Sequence, residues 1–159
     1  MTSIPEPSLT TTVEPRFIDR MGHMNIEWYT HFFQKAIWNF YEGIGFGVPY
    51  HKQSGFGSFL LESHYVYLKE LREGKSFSIF MRLLPRREKV FHYLLYMQRD
   101  EDNALAATME STGIHIDFST RRGAPMPTVL AERWDQATQA HSKLAWPHDV
   151  NPRLTTSAD

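Results

Sequence analysis

The chain of 159 residues contains no cysteine. That absence excludes a disulfide scaffold, a thiolate nucleophile and a zinc site with cysteine ligands. A basic excess is also missing, since 17 Lys and Arg stand against 18 Asp and Glu, for a formal net charge of −1. The usual electrostatic footprint of a nucleic-acid partner is therefore not there. No stretch approaches the roughly 18 consecutive apolar residues of a membrane span. The opening residues, MTSIPEPSLTTT, have neither the basic start nor the apolar core of a secretory signal. Eight histidines are present but scattered, with no HExxH or similar spacing, so no metal is expected. The expectation is a cytoplasmic protein with no nucleic-acid, membrane or metal partner.

What is present is apolar and aromatic. Hydrophobic residues make up 42% of the chain and aromatic residues 14%, enough to build a core within one domain. Residues 1–10 read as a flexible, proline-broken lead-in. Thr11 to Ile18 reads as a short strand, with Pro15 suited to an edge or a bend. Asn25 suits a helix N-cap and Glu27 places negative charge in the first turn. From Ile26, apolar residues recur at 29, 32, 33, 36, 37, 40, 41 and 44, which is helical spacing. Trp28 and Trp38 lie off that stripe, so the helix is expected to be buried on several sides. Gly43, Gly45 and Gly47 supply its stop.

Beyond the glycines the pattern changes to strands. Residues 57–70, 76–84, 90–98 and 104–119 are rich in strand-forming types, and the polar turns REGK, PRREK and RDEDN join them. Short polar turns between consecutive strands predict an antiparallel meander. A second, amphipathic helix is expected from Pro127 to Leu144, and a poorly ordered tail from Pro147. One sheet curled around one long apolar helix satisfies this α+β order. Such a sheet leaves an exposed edge, which pairing with a second copy would cover.

The stretch FIDRMGHMN, residues 17–25, carries the chemistry. Asp19, Gly22, His23 and Asn25, followed by Tyr29, resemble the Asp-x-x-Gly-His-x-Asn-x-x-x-Tyr signature of hotdog-fold acyl-CoA thioesterases of the 4-hydroxybenzoyl-CoA thioesterase type. The likeness spans roughly residues 11–120. The GHMN form, the LESH strand and the GAPMP segment resemble most the branch containing betainyl-CoA thioesterase. The resemblance implies a hotdog domain over 11–122, its antiparallel sheet wrapped around one long central helix. A C-terminal helical extension and tail over 123–159 would belong to the same domain. It further implies an acyl-CoA substrate, no cofactor beyond the coenzyme A of that substrate, and a homodimer or homotetramer. One departure is Phe17, where the commoner form has a second aspartate two residues before the catalytic one. The extension after residue 127 is another, since it lies outside the shared core.

Thioester hydrolysis needs an attacking group and a home for the oxyanion. Asp19 can act as nucleophile or as general base. Gly22 would let the chain turn sharply. Free N–H groups where the helix begins can stabilise the oxyanion, and the resemblance points to the N–H of Ile26. His23 can orient Asp19, bond the substrate or hold the loop. Asn25 can contact the thioester or cap the helix, and capping is the simpler role. Tyr29 is expected at the substrate. Glu62 and His64 share one strand face and are expected to border the site, contributed by a neighbouring subunit, or else to pair at the sheet rim. Arg86, Arg87 and Lys89 in one turn, or Arg121 and Arg122 after the last strand, could hold the CoA phosphates. Of the aromatic crowd, most belongs to the core and a minority could line an acyl pocket. Three rivals stand beside the enzyme reading: a hotdog dehydratase or hydratase, whose His-x4-Pro motif is absent; a non-catalytic acyl-CoA or lipid-binding hotdog module; and an unrelated sheet-around-helix pocket protein.

Overall fold

The computed structural model describes residues 5–147, 150 and 152–154. The expected lead-in therefore lies outside the described residues for 1–4, and the expected tail for 148, 149, 151 and 155–159. The elements run β1 (Leu9–Thr12), a 3-10 turn (Pro15–Phe17), α1 (Ile26–Ile44), α2 (Val48–Ser54), β2 (Phe56–Tyr67), β3 (Ser76–Leu84), β4 (Val90–Arg99), β5 (Leu105–Asp117), β6 (Arg122–Gly123) and α3 (Thr128–Ser142). All ladders are antiparallel, in the order β1-β3-β4-β5-β2, with β6 paired to β5. β3, β4 and β5 form the antiparallel meander that PRREK and RDEDN announce, but REGK does not make a hairpin: β2 lies at the opposite edge of the sheet from β3 and pairs with β5.

Two boundaries move. The first strand is not Thr11 to Ile18 but Leu9–Thr12, pairing Leu9 with Ile79 and starting inside the expected lead-in. Pro15 then opens the 3-10 turn, because its fixed φ suits a helical start and it has no N–H for a ladder. Neither α2 nor β6 is anticipated by the sequence.

α1 begins where Asn25 accepts from the N–H of Glu27 at 3.0 Å and ends at Gly45, whose φ of +79° is the left-handed conformation of a helix stop. Tyr29, Phe32, Phe33, Ala36, Ile37 and Tyr41 are its buried side chains. They join Phe77, Leu83, Phe91, Tyr93, Leu95 and Met109 of the sheet and Trp134 of α3 in one core. Fully burying such a side chain contributes about 1.5–3 kcal/mol, more than the ~1 kcal/mol of a cap, so the apolar stripe and not the cap holds the helix down. Burial on several sides is not met in the single chain. Trp38 keeps 41% exposure and Ile26 60%, although Trp38 meets His51 at 5.4 Å and Trp28 packs on Phe17 at 4.2 Å between ring centroids.

β2 has an irregularity at Leu61, between the pairs Leu60–Gly113 and Glu62–Thr112. After it, Tyr65 and Tyr67 point at α1, meeting Phe33 and Tyr29 at 6.2 and 5.3 Å between ring centroids. Glu62, His64 and Val66 must then point to the opposite, outer face.

The C-terminal end of α3 crosses the edge of β3 and the chain continues over the outer face. Arg82, 1% exposed, donates to the carbonyls of His141, Leu144 and Ala145 at and just past the helix end. Trp146 stacks on its guanidinium at 4.3 Å. His141 Nδ1 accepts from the N–H of Leu83 at 2.9 Å. Burial, and then the charge of Arg82, depresses the His141 pKa from 6.5 to about 4. Val150 packs on Phe80, Leu94 and Tyr96. The N–H groups of Arg153 and Leu154 donate to Glu110 at 2.7 and 2.9 Å. So the described residues of the tail are anchored, contrary to expectation, because the outer face offers both apolar surface and a buried carboxylate.

Candidate active site

The turn before α1 is closed by its own backbone. Asp19 N–H donates to the carbonyl of His23 and Gly22 N–H to that of Asp19, both at 3.1 Å, while Ile18 and Met24 form a bridge behind them. Gly22 has φ +82°, and a Cβ built on it would meet nothing within 4 Å. Glycine is needed there for its backbone conformation and not for space. Met21 N–H donates to Asp19 Oδ1 at 2.8 Å. That single bond fixes the side chain of Asp19, and Oδ2 has no hydrogen-bond partner among the described residues.

Next to this carboxylate, α1 presents its first amides. Asn25 Oδ1 takes the N–H of Glu27 and the Asn25 carbonyl takes that of Trp28. The N–H of Ile26 has no hydrogen bond among the described residues. At the first position of a helix it has no intrahelical partner, and it carries part of the positive end of the dipole.

Asp19, His23, Met24, Ile26 and Tyr29 line a pocket of about 440 Å³ together with Tyr67, Leu68, Lys69 and Glu70 from the end of β2. Tyr29 is buried, and burial raises the pKa of its hydroxyl against the opposing effect of a backbone hydrogen bond at Leu71, so the phenol stays a neutral donor. The carboxyl of Glu70 is held below its usual range, first by a hydrogen bond from Arg72 and then by that guanidinium's charge, with a smaller contribution from His23. The pocket therefore combines two tyrosine rings, two carboxylates, an ammonium and an unpaired amide. A carbonyl carbon placed beside Asp19 with its oxygen on the Ile26 N–H would meet both an attacking group and a stabilised charge.

The motif residues Asp19, Gly22, His23, Asn25, Ile26 and Tyr29 are thus brought together. His23 contributes its carbonyl to the turn and its ring to the pocket, and its side chain makes no hydrogen bond to Asp19. Asn25 is the helix cap. Glu62 and His64 do not reach this pocket within one chain: the bulge at Leu61 sends them to the outer face, where His64 shares a 120 Å³ cavity with Glu110, Val150 and Arg153. Nor do Arg86, Arg87 and Lys89 line it. Arg86 is committed to Asp135 of α3 by two hydrogen bonds of 2.8 and 2.7 Å and donates to the Arg87 carbonyl, so its fork is spent on structure. Arg121 is stacked over the Phe59 ring at 5.2 Å. Sequence reasoning missed Tyr67, Leu68, Lys69 and Glu70 as site residues. The available signal was the shared face of Tyr65 and Tyr67, and what it needed was knowledge of which face meets α1.

Residues 13–134 match the family model described as the thioesterase-like superfamily. The chain is 29% identical over 142 residues to a betainyl-CoA thioesterase of Pseudomonas aeruginosa, covering 88% of each. It is 24% identical over 137 residues to an L-carnitine dehydrogenase/betainyl-CoA thioesterase of Rhizobium meliloti, where the match spans 86% of this chain and only 27% of that longer protein. Among solved structures, protein SAV2348 of Staphylococcus aureus in complex with CoA is similar with a TM-score of 0.85 and 25% identity, over 96% of this chain and 97% of that one. A 1,4-dihydroxy-2-naphthoyl-CoA thioesterase from Synechocystis shares the fold, with a TM-score of 0.71 and 14% identity over 82% of this chain and 93% of that one.

Proposed function

The chain belongs to the thioesterase-like superfamily, and on that premise we propose that it hydrolyses an acyl-CoA thioester to a free acid and CoA at the Asp19 pocket. The observation that carries this reading is the meeting of an unbonded carboxylate oxygen and an unbonded helix N–H on one hollow. As nucleophile, Asp19 Oδ2 adds to the thioester carbon, the C–S bond breaks, and the resulting anhydride is opened by water. As general base, Asp19 takes a proton from water and the hydroxide adds instead. In both routes the oxyanion is received by the Ile26 N–H, and the departing thiolate is protonated by solvent. No cofactor is needed beyond the CoA of the substrate. A single turnover in H2-18O tests the nucleophilic route: an unlabelled first acid, with the label left in Asp19, means that water opened an anhydride at the Asp19 carbon, which the general-base route cannot produce.

The Tyr29 and Tyr67 rings and the carboxylate of Glu70 favour a small cationic acyl group, for which ring faces and negative charge are both attractive. That chemistry fits the betainyl group named for the Pseudomonas relative. We further infer the hotdog arrangement, with the sheet wrapped around α1. In it two copies pair through β2, whose outer edge is unpaired among the described residues and carries exposed Phe59, Leu60 and Leu61. Glu62 and His64 would then lie at the seam between subunits. No helix among the described residues is long and apolar enough to cross a membrane, and a cytoplasmic location is part of the proposal.

The test is thiol release from betainyl-CoA, gentisyl-CoA and 1,4-dihydroxy-2-naphthoyl-CoA. The expected result is turnover of betainyl-CoA above the others. Tight binding of these thioesters without release would establish the rival, a non-catalytic acyl-CoA-binding module.

A further inference from the structure

Asp19 is shared by two hollows. One is the 440 Å³ pocket floored by Tyr29 and Tyr67. The other is a groove of about 710 Å³ lined by Ile18, Asp19, Arg20, Met21 and Asn25, and the two have only Asp19 in common. A thioester likewise has two arms leaving its reacting carbon, so each hollow can take one arm.

The arms differ in chemistry, and so do the hollows. On the sulfur side a pantetheine chain with apolar methyl groups leads to phosphates of strong negative charge. The tyrosine pocket suits this arm badly. It holds Asp19 and Glu70 together, and the Arg72 hydrogen bond keeps Glu70 ionised. Lys69 lines the same pocket but stands beside Glu70 in the chain, so the net charge there does not welcome phosphate. In the groove the charges are even, one arginine against one acid. Arg20 is exposed, with no hydrogen bond or ion pair among the described residues, and Asp19 is the one acid in the lining. Six other arginines are spent: Arg16 on Glu14, Arg72 on Glu70, Arg82 on carbonyls, Arg86 on Asp135, Arg99 on Asp102 and Arg121 on Phe59. Met21 is 77% exposed, and a long apolar side chain held open to water beside that cation offers the methyl groups a surface.

We propose that the Met21 and Arg20 groove carries the CoA arm, with the Arg20 guanidinium on a CoA phosphate, and that the acyl group enters the Tyr29 and Tyr67 pocket. The assignment rests on the thioesterase reading. It makes Arg20 a binding residue for the nucleotide end and separates recognition of CoA from recognition of the acyl group at the Asp19 turn.

The experiment compares betainyl-CoA with betainyl-pantetheine, the same thioester without phosphates, on wild type, Arg20→Glu and Arg20→Lys. Losing a charge-assisted phosphate contact is expected to raise KM for the CoA ester about tenfold or more in Arg20→Glu. kcat should stay within about twofold, as for any binding contact equal in ground and transition states. KM for the pantetheine ester should not move, and Arg20→Lys should restore most of the binding. An equal rise in KM for both esters, a fall in kcat on both, or no change on either overturns the assignment. Calorimetry of free CoA on the same variants gives a readout independent of turnover. If wild type binds CoA, Arg20→Glu loses it, and neither ester is hydrolysed, then the groove stands and the thioesterase reading falls.

Discussion

Asp19 and Glu110 are both carboxylates with a histidine close by, and the molecule uses them in opposite ways. Glu110 is 2% exposed and its two oxygens are filled: Oε1 accepts from His92 Nε2 at 2.7 Å and from Leu154 N–H, and Oε2 accepts from Arg153 N–H. Asp19 is only half buried, is held by one N–H through Oδ1, and keeps Oδ2 free beside an unbonded helix amide. A buried polar group with every valence answered resists change, because losing any partner exposes the rest to desolvation. A carboxylate pinned at one oxygen and open at the other is oriented yet available. The outer face of β5 is therefore a fastening, and the turn before α1 is a place for reaction.

Substitutions can test that contrast. The largest effect is expected from Asp19→Asn, which should lower kcat/KM on the preferred acyl-CoA by about a thousandfold, or ~4 kcal/mol of transition-state stabilisation, within the span of acid–base and nucleophilic roles. Its melting temperature should stay at the wild-type value, and a substantial fall would mean that Asp19 too is a fastening. Glu110→Ala should do the reverse. It leaves His92 and two tail amides without an acceptor and is expected to cost about 3 kcal/mol in urea unfolding, while kcat per folded molecule is retained. Asn25→Ala removes a cap that also sits at the site. A loss of ~1 kcal/mol in stability with kcat within a few-fold would place Asn25 on the fastening side, whereas a loss of activity as large as that of Asp19→Asn would place it with the chemistry.

A further effect concerns pH. His141 has a folded-state pKa of about 4 against 6.5 for the free side chain. The unfolded chain thus binds the extra proton first, and stability present above pH 6.5 is lost as the pH falls toward 4. His141→Asn keeps an acceptor for the Leu83 N–H and removes the titration. Its melting temperature should decline less steeply than that of wild type between those two pH values, and parallel curves would show that another group carries the acid sensitivity.

The turn was readable in the sequence because its physics is local. A glycine at positive φ, an asparagine cap and an acidic residue at a fixed offset all act within a dozen residues. The four long strands were readable for a similar reason, since each is bounded by a polar turn. What could not be read depends on distant pairings. Glu110 meets amides 43 and 44 residues away, and Arg86 meets Asp135 49 residues away; no periodicity encodes either. The two faces of β2 were visible as alternation, but only the bulge at Leu61 and the tyrosine contacts with α1 decide that Glu62 and His64 face outward. The seven residues of α2 hold a proline between glycines and bury no side chain, so nothing in their pattern distinguishes them from a loop.

The crossing of α3 over β3 has a consequence for how large an assembly can grow. Every open sheet has two rims. On one side this sheet ends in a four-residue strand, and past it His141 occupies the Leu83 N–H that a further strand would want. On the other side it ends in the twelve residues of β2. If two copies pair through β2 as proposed, the far rim offers a further strand only four residues of β1 and, beyond them, a Leu83 amide that is already filled. An imidazole outside the Asp19 pocket thus takes away one of the amides through which that rim could add a strand.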